Sequence, residues 1–188
     1  MRVTGGKWCN QNFDAPKNSD TTRPTSDFDR EQVFNILVNG FKHKTKNFID
    51  FFSGSGSFAW ESFSRGASKG LLIEANNKAI QTIIKNASKF NVLTEMQIIR
   101  SKDIPSWAME INKKNIEFNT FFCDPPYDSY QMPTFIKVID ANNRFTANES
   151  MLVIQRGQKE SEIALNHWDL VKSKQKGHSL LLFYKYKG

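Results

Sequence analysis

The tetrapeptide Asp124-Pro125-Pro126-Tyr127 combines residue types that suggest chemistry on a planar substrate. It follows an apolar run, residues 118–123, that is typical of a buried strand, so it falls at a strand's carboxyl end, where open α/β sheets bind ligands. Two successive prolines fix φ and leave carbonyl groups without ladder partners. Asp124 and a prolyl carbonyl can therefore accept both hydrogens of an exocyclic amine while Tyr127 stacks on its ring. The simpler alternative is a strand-ending turn.

A second candidate site is the glycine-rich run from Asp50 to Gly56, which joins a predicted strand to a predicted helix. Glycines let a turn tighten and let a ligand approach the backbone. Glu74 ends the next predicted strand, from which its carboxylate can reach a ribose diol. The spacing Gly54-x-Gly56-x-x-Ala59 also fits a permissive dinucleotide pattern.

We favour S-adenosylmethionine over a nicotinamide dinucleotide as the ligand of this second site. The Asp50 carboxylate would repel a pyrophosphate, whereas it suits a sulfonium ligand that also carries an α-amino group. Nicotinamide chemistry also has no use for an Asp-Pro-Pro-Tyr turn.

Strands and helices alternate along the chain in an order that places both motifs at strand ends. The predicted strands cover residues 48–52, 69–74, 95–100, 118–123 and 151–155, with a final hairpin of 168–174 and 180–186. The predicted helices cover residues 27–42, 58–65, 76–90, 104–112 and 132–139, the first of them capped by Ser26. This alternation predicts an α/β fold with a mostly parallel, doubly wound sheet and an antiparallel C-terminal hairpin strand.

The length of 188 residues predicts a single domain. Residues 1–26 are expected to form an N-terminal extension, with strands at 2–4 and 8–13 around a Gly5-Gly6 turn and a polar loop after them. Residues 27–188 then form the core.

The formal net charge of +7 is concentrated at the two ends of the chain. Residues 1–47 carry 8 Lys and Arg against 5 Asp and Glu, and residues 155–188 carry 7 against 3, whereas the counts for residues 48–154 are equal. Basic termini indicate a polyanionic partner, and nucleic acid is the polyanion we favour. A Lys-rich surface that only maintains solubility is the alternative.

The remaining composition indicates a cytoplasmic protein without a metal site. Apolar runs are all shorter than the roughly 20 residues that span a bilayer, and the first residues lack the apolar segment of a secretory signal. Cys9 and Cys123 are too few for a disulfide framework or a zinc site. We interpret both as free thiols, and Cys123 as a packing residue rather than a nucleophile.

Several motifs together resemble one family, the RsmD methyltransferases. They are the Asp50–Gly56 run, Glu61-x-x-Ser64-Arg65-Gly66-Ala67, Glu74, Asp-Pro-Pro-Tyr, the opening Gly5-Gly6-Lys7, and Arg23-Pro24-Thr25 followed by Arg30-Glu31. The resemblance extends from end to end, including the closing hairpin. The chain departs from the pattern after Lys7, where Trp8 and Cys9 stand in place of further basic residues.

The resemblance implies a Rossmann-like class I methyltransferase with a seven-stranded sheet that uses S-adenosylmethionine. It implies methylation of the exocyclic N2 amine of a guanine in 16S rRNA, presented in the assembling small ribosomal subunit. Separately, we expect the protein to be a monomer. The implied cofactor residues are Asp50, Phe52, Ser53, Gly54, Gly56, Glu74 and, for the adenine amine, Asp103; Asp124, Pro125, Pro126 and Tyr127 would hold the guanine. The candidate RNA contacts are Arg2, Lys7, Arg23 and Arg30, and the alternative for Arg23 and Arg30 is that they close over the cofactor.

Two other functions stay open at this point. The same tetrapeptide serves the adenine-N6 and cytosine-N4 amines in DNA methyltransferases, although this chain has little room for the target-recognition segment that such enzymes carry. The chain could also be a non-catalytic RNA-binding assembly factor, for which we would expect a disrupted cofactor loop. The Asp50–Gly56 run is intact, which favours an enzyme.

Overall fold

A computed structural model describes residues 1–16, 26–101, 103–125, 131–141, 144–157, 163–176 and 179–188, which form one seven-stranded sheet with flanking helices. The strands are β1 (Asn47–Phe51), β2 (Lys69–Glu74), β3 (Met96–Arg100), β4 (Phe118–Cys123), β5 (Thr146–Gly157), β6 (Trp168–Lys176) and β7 (Ser179–Tyr186). They are arranged in the order β3-β2-β1-β4-β5-β7-β6. Strands β1 to β5 are parallel, whereas β7 is antiparallel to both β5 and β6. The predicted parallel sheet with an antiparallel C-terminal hairpin is confirmed.

Helices cover both faces of the sheet, as parallel strands require. The α-helices are α1 (Asp27–Asn35), α2 (Ser57–Ser64), α3 (Asn77–Lys89), α4 (Ile104–Asn112) and α5 (Met132–Ala141). Residues of α1, α2 and α3 share one buried cluster, and residues of α4 and α5 share the other. We refer to the side with the first three helices as the α2 face.

The two faces of β1 illustrate how the sequence divides between these clusters. Ile49 and Phe51 belong to the cluster under α4 and α5, so Phe48 and Asp50 project from the opposite, α2 face. On that face the rings of Phe58 and Phe122 are stacked with centroids 4.8 Å apart. Strand β1 thus carries one buried acid, Asp50, into a phenylalanine-rich core.

The first helix differs from the prediction in its second half. Ser26 caps it as predicted, because its side chain accepts a hydrogen bond from the Asp29 N–H at 3.1 Å. The α-helix then ends at Asn35 and continues as a π-helical segment, Ile36–Gly40, in which the Phe41 N–H bonds to the Ile36 carbonyl. A π-turn inserts an extra residue and shifts the side chains that follow it.

Strand β5 begins at Thr146, five residues before its predicted start. The pairing with β4 is irregular between Thr146 and Met151, and Glu149 has a positive φ of 63°. The Ser150 hydroxyl lies within hydrogen-bonding distance of the Phe118 and Ala147 carbonyls, and these contacts stabilise the bulge. A bulge of this kind breaks the alternation from which strands are predicted.

Residues 1–16, the N-terminal arm, form only part of the predicted hairpin. Arg2 and Asn12 make a single antiparallel bridge, and residues Gly6–Trp8 form a short 3-10 helix where a tight turn was predicted. Gly6 has a φ of 77°, and a Cβ there would lie 2.1 Å from the Ser64 carbonyl oxygen. Contact with α2 therefore constrains the tip of the arm, while backbone hydrogen bonds of Val3 with Asn10 and Gln11 and of Met1 with Phe13 join its two segments.

A buried ionic cluster fixes the arm to the core. Glu61 on α2 has no exposed surface; it accepts hydrogen bonds from the Thr4 N–H at 2.5 Å and from Arg65 Nε at 3.2 Å. Its Oε1 atom also lies 3.7 Å from Nε of Arg30, which is fully buried as well. Arg30 in turn donates hydrogen bonds to the Arg2 carbonyl and to the Asp27 carboxylate.

We expect Glu61→Ala to lower the free energy of unfolding by about 3–5 kcal/mol, because it leaves buried arginine charge uncompensated. Urea denaturation of this variant and of Glu117→Ala, an exposed acid, provides the comparison. The control should change by no more than about 0.5 kcal/mol. Equal stability of the two variants would show that the cluster does not hold the arm.

Among the residues that the structure describes, no helix is both long and apolar enough to cross a membrane.

Candidate active site

Asp50 and Asp124 lie where the strand order reverses, at the carboxyl ends of β1 and β4. These neighbouring strands are followed by connections on opposite faces of the sheet, which makes their junction the topological switch point. Asp50 pairs with Phe122, so Asp124 lies two residues further along β4 on the same, α2 face. Asp50 and Asp124 are close enough for the second to raise the pKa of the first.

Asp50 combines deep burial with a raised pKa. Its side chain is 1% exposed, and its Oδ2 atom has no hydrogen-bond partner in the described part of the chain. Burial raises its pKa well above 3.8, the neighbouring charges of Asp124 and Glu74 raise it further, and a hydrogen bond from the Ala59 N–H acts in the opposite direction. A buried carboxyl group with an oxygen that accepts no hydrogen bond is stabilised by a cationic N–H donor.

The conformation of the turn after β1 depends on its glycines. Phe52, Gly54 and Gly56 all have positive φ, of 60°, 54° and 72°. Gly56 begins α2, and a Cβ there would lie 2.9 Å from the Trp60 ring, so the glycine is required by packing as well as by conformation. The result is a tight loop whose backbone a ligand can approach closely.

The backbone and the side chain of Ser53 form hydrogen bonds with the neighbouring strand β2. Its N–H donates to the Ile73 carbonyl at 3.0 Å, and its hydroxyl accepts from the Ile73 N–H at 3.1 Å. The same hydroxyl lies 2.6 Å from the Asp50 carbonyl. Ser53 therefore extends the β1–β2 pairing into the turn and positions Gly54, so any contribution of its side chain to cofactor binding is indirect.

Glu74 holds the turn against the end of β2. Its Oε2 atom accepts from the Gly54 N–H at 2.7 Å, and its Oε1 atom accepts from the N–H groups of Ala75 and Asn76 at 2.8 and 2.7 Å. The carboxylate thus connects β2, the glycine turn and the cap of α3. These three bonds fix the carboxylate at the strand end, the position that the sequence predicts for a ribose contact.

Asp103 lies on the other side of β2, before α4. Its Oδ1 atom caps that helix by accepting from the Ser106 N–H at 2.9 Å, and hydrogen bonding to Ser106 lowers its pKa. The carboxylate is at the surface of the carboxyl edge. The adenine contact expected of Asp103 stays a prediction.

At the end of β4, Asp124 and Pro125 are both half-buried, and Pro126 and Tyr127 lie outside the described residues. Cys123, directly before them, is a packing residue as predicted. Its side chain is 1% exposed, and burial, followed by the charges of Asp124 and Asp50, raises the pKa of its thiol well above 9.0. A thiol that keeps its proton is a poor nucleophile.

The four candidate RNA contacts fall in different environments. Arg2 and Lys7 are exposed on the N-terminal arm, where Arg2 bonds to Asn10 and Lys7 lies over the Trp8 ring at 4.5 Å. Arg23 lies outside the described residues. Arg30 requires a correction: it has no exposed surface, so it cannot reach a phosphate, and its role is to hold the arm.

Sequence reasoning also missed what the Glu61–Ala67 motif does. Ser64 Oγ donates to the Gly5 carbonyl at 2.5 Å and accepts from the Trp8 N–H at 2.9 Å. Arg65 contacts Thr4 and Glu61. Gly5 and Gly6 of the arm and the Glu61–Ala67 motif, which both carry the family resemblance, therefore form the two sides of one interface. In the sequence, only the presence of both motifs together could have indicated this interface.

Comparison with known proteins finds relatives that match nearly the whole chain. A family model described as "Conserved hypothetical protein 95" matches residues 1–185. "Ribosomal RNA small subunit methyltransferase D" of Buchnera aphidicola (subsp. Baizongia pistaciae) is 30% identical over 176 residues, covering 93% of this chain and 86% of the relative. The protein of the same name from Haemophilus influenzae is 26% identical over 178 residues, covering 94% and 89%.

Solved structures share the fold at lower identity. A hypothetical protein of Thermus thermophilus superposes with a TM-score of 0.78 at 20% identity, covering 97% of this chain and 98% of that one. The ribosomal protein L11 methylase of Lactobacillus delbrueckii superposes with a TM-score of 0.61 at 11% identity, covering 87% and 81%.

The sheet order, shared with these structural neighbours, is that of the Rossmann-like class I methyltransferase fold. Within that class the chain belongs to the RsmD family, which confirms the resemblance seen in the sequence.

Proposed function

We propose that this protein transfers a methyl group from S-adenosylmethionine to the exocyclic N2 amine of a guanine in 16S rRNA within the small ribosomal subunit. The relatives named ribosomal RNA small subunit methyltransferase D support ribosomal RNA as the substrate. One domain, a monomeric state and a cytoplasmic location are part of the same proposal.

The observation that carries the proposal is the pair of acids at the switch point. Asp50 offers a buried acceptor with no partner in the described residues, and Asp124 lies beside it at the end of β4. One acid therefore faces the position of a cationic cofactor, and the other faces the position of a neutral amine. A pyrophosphate offers no cationic N–H donor to Asp50 and would be repelled by the Asp124 carboxylate, which argues against a dinucleotide.

The residues of the turn fit S-adenosylmethionine. Asp50 would accept a hydrogen bond from its α-ammonium group, the backbone at Gly54 and Gly56 would lie against its methionine part, and Glu74 would hold its ribose hydroxyls. When bound, the cofactor supplies a methyl group on a positively charged sulfur. The positive charge is dispersed during transfer, so the protein needs no strong acid.

The protein's task at the substrate is alignment. The lone pair of the guanine amine is delocalised into the ring, so the amine is a weak nucleophile. Asp124 and the Pro125 carbonyl would accept its two hydrogens and favour a pyramidal nitrogen whose lone pair points at the methyl group. Holding both reactants in line supplies most of the rate. Asp124 can accept the amine proton once the new C–N bond has formed.

Methyl transfer from labelled S-adenosylmethionine tests this proposal. The acceptors are unmethylated 30S particles, naked 16S rRNA and duplex DNA, and the product is identified after digestion to nucleosides. We expect the label in 30S particles as N2-methylguanosine. Cofactor binding is measured in parallel by calorimetry.

Two outcomes would replace the proposal. Label confined to DNA, as N6-methyladenine or N4-methylcytosine, would identify a DNA amino-methyltransferase. Cofactor binding with no label in any acceptor would favour a non-catalytic assembly factor.

A further inference from the structure

An open groove of about 460 Å³ runs along the outer side of α1, between that helix and strand β6. Its helical wall is formed by residues three or four apart on one face of α1 and its π-helical continuation, and Lys174 of β6 closes the other side. None of the cofactor or amine residues described above lines it. The groove is therefore a separate feature of the α2 face.

The lining combines an aromatic ring with amides. Phe28 is 56% exposed, which is unusual for so large an apolar side chain. Gln32 carries a buried Oε1 atom with no hydrogen-bond partner in the described residues. Asn35 and Asn39 follow on the same wall. A flat ring beside side chains that both donate and accept hydrogen bonds matches a nucleobase, which presents a π-face and a polar edge.

The groove is also close to the methyl-transfer position. The last paired residues of β4 and β5 are Cys123 and Ile154, so the next residues, Asp124 and Gln155, are at the same level in the sheet. Gln155 pairs with Leu181 of β7, and Leu181 pairs with Lys174 of β6. Lys174 is thus level with Asp124, three strand spacings away, or about 14 Å. Leu181 belongs to the α2-face cluster, so Lys174 and Asp124 project from the same face.

From this geometry we infer that the groove binds an unstacked RNA base that flanks the methylated guanine, with the ring on Phe28, the base edge on Gln32 and its neighbouring amides, and a phosphate on Lys174. The inference rests on the proposed function, to which it adds an RNA contact outside the methylated guanine.

Charge favours RNA over a peptide as the occupant. The C-terminal segment that supplies Lys174 carries 7 basic residues against 3 acidic ones. Lys172, paired with Phe183, projects from the same face as Lys174 and extends the basic edge. Glu31 lines the groove as well, where its carboxylate can accept from a base amino group but repels a phosphate. The base is therefore placed on the helix side and the phosphate on the strand side.

The test compares Phe28→Ala and Lys174→Ala with matched controls. Val38→Ala removes an exposed apolar side chain from the same helical segment outside the groove, and Lys137→Ala removes an exposed lysine from α5. Steady-state methylation of 30S particles and of naked 16S rRNA gives kcat and KM, filter binding gives the Kd for naked 16S rRNA, and calorimetry gives the Kd for the cofactor.

We expect Phe28→Ala to raise the Kd and KM for naked rRNA by about tenfold, which lies within the range that stacking of one base on an aromatic ring contributes. Lys174→Ala should reduce the salt dependence of RNA binding. Phe28→Trp should restore affinity, and the controls and the cofactor Kd should stay at the wild-type level.

The groove inference is overturned if Phe28→Ala binds naked rRNA as tightly as Val38→Ala does. A defect seen with 30S particles but not with naked rRNA would also overturn it, because the groove would then contact protein. If the wild-type chain methylates no RNA, the proposed function fails, while filter binding with the same variants still decides the groove.

Discussion

Asp124→Ala should lower kcat for methyl transfer by at least about 100-fold, because a misplaced reacting group costs that much even when both substrates bind. The carboxylate is the acceptor that would orient the amine, and alanine offers none. Binding of S-adenosylmethionine should persist, since Asp50, Glu74 and the glycine turn are unchanged. Single-turnover methylation of 30S particles measures the chemical step, and calorimetry measures cofactor binding.

Asp169→Ala is the matched control, because Asp169 is an exposed aspartate on β6, remote from the switch point. Asp124→Asn adds a second comparison: its amide oxygen can still accept one hydrogen but cannot take a proton. An Asp124→Ala enzyme with a wild-type kcat would remove Asp124 from the proposed chemistry. Loss of cofactor binding along with activity would instead assign it to the cofactor site.

Asp50→Asn should change function and stability in opposite directions. We expect it to weaken S-adenosylmethionine binding by about 10- to 100-fold, the value of a hydrogen bond to a charged group. The same substitution should stabilise the unliganded protein at neutral pH, because it removes a carboxyl whose ionisation burial opposes.

The sign of the pH effect follows from the raised pKa of Asp50. Above pH 3.8 the unfolded chain releases the proton that the folded chain retains, so this carboxyl lowers stability as the pH rises towards its folded pKa. Denaturant unfolding should therefore show a gain for Asp50→Asn at pH 7 that shrinks towards pH 4. Affinity for the cationic cofactor should rise with pH over the same range in the wild type, and this dependence should be absent from the variant.

Asp169→Asn, a change at an exposed position, should show neither effect. If Asp50→Asn destabilised the protein at neutral pH, the carboxyl would have to be ionised and stabilised by a partner in the folded state. If Asp50→Asn left the affinity for the cofactor unchanged, the Oδ2 atom of Asp50 would not be the acceptor for the cofactor's α-ammonium group.

Local signals in the sequence determined the general fold and the place of the site. Strands β1 to β5 and their helices follow from short apolar runs separated by turns, and right-handed crossovers leave few arrangements for such a series. Because Asp50 lies at the end of one strand and Asp124 directly follows another, their meeting at one edge also followed from the order of elements. These inferences need only neighbouring residues and the rules of parallel sheets.

Features that depend on contacts between distant segments could be determined only by the tertiary structure. Arg30 reads as an exposed helical arginine, yet it is buried because Glu61, 31 positions later, meets it across the helix interface. The arm adopts a 3-10 helix because Gly6 packs on Ser64, and β5 bulges where Ser150 contacts Phe118. The unmet acceptor of Asp50 and the groove beside Lys174 likewise arise from packing, which no local pattern encodes.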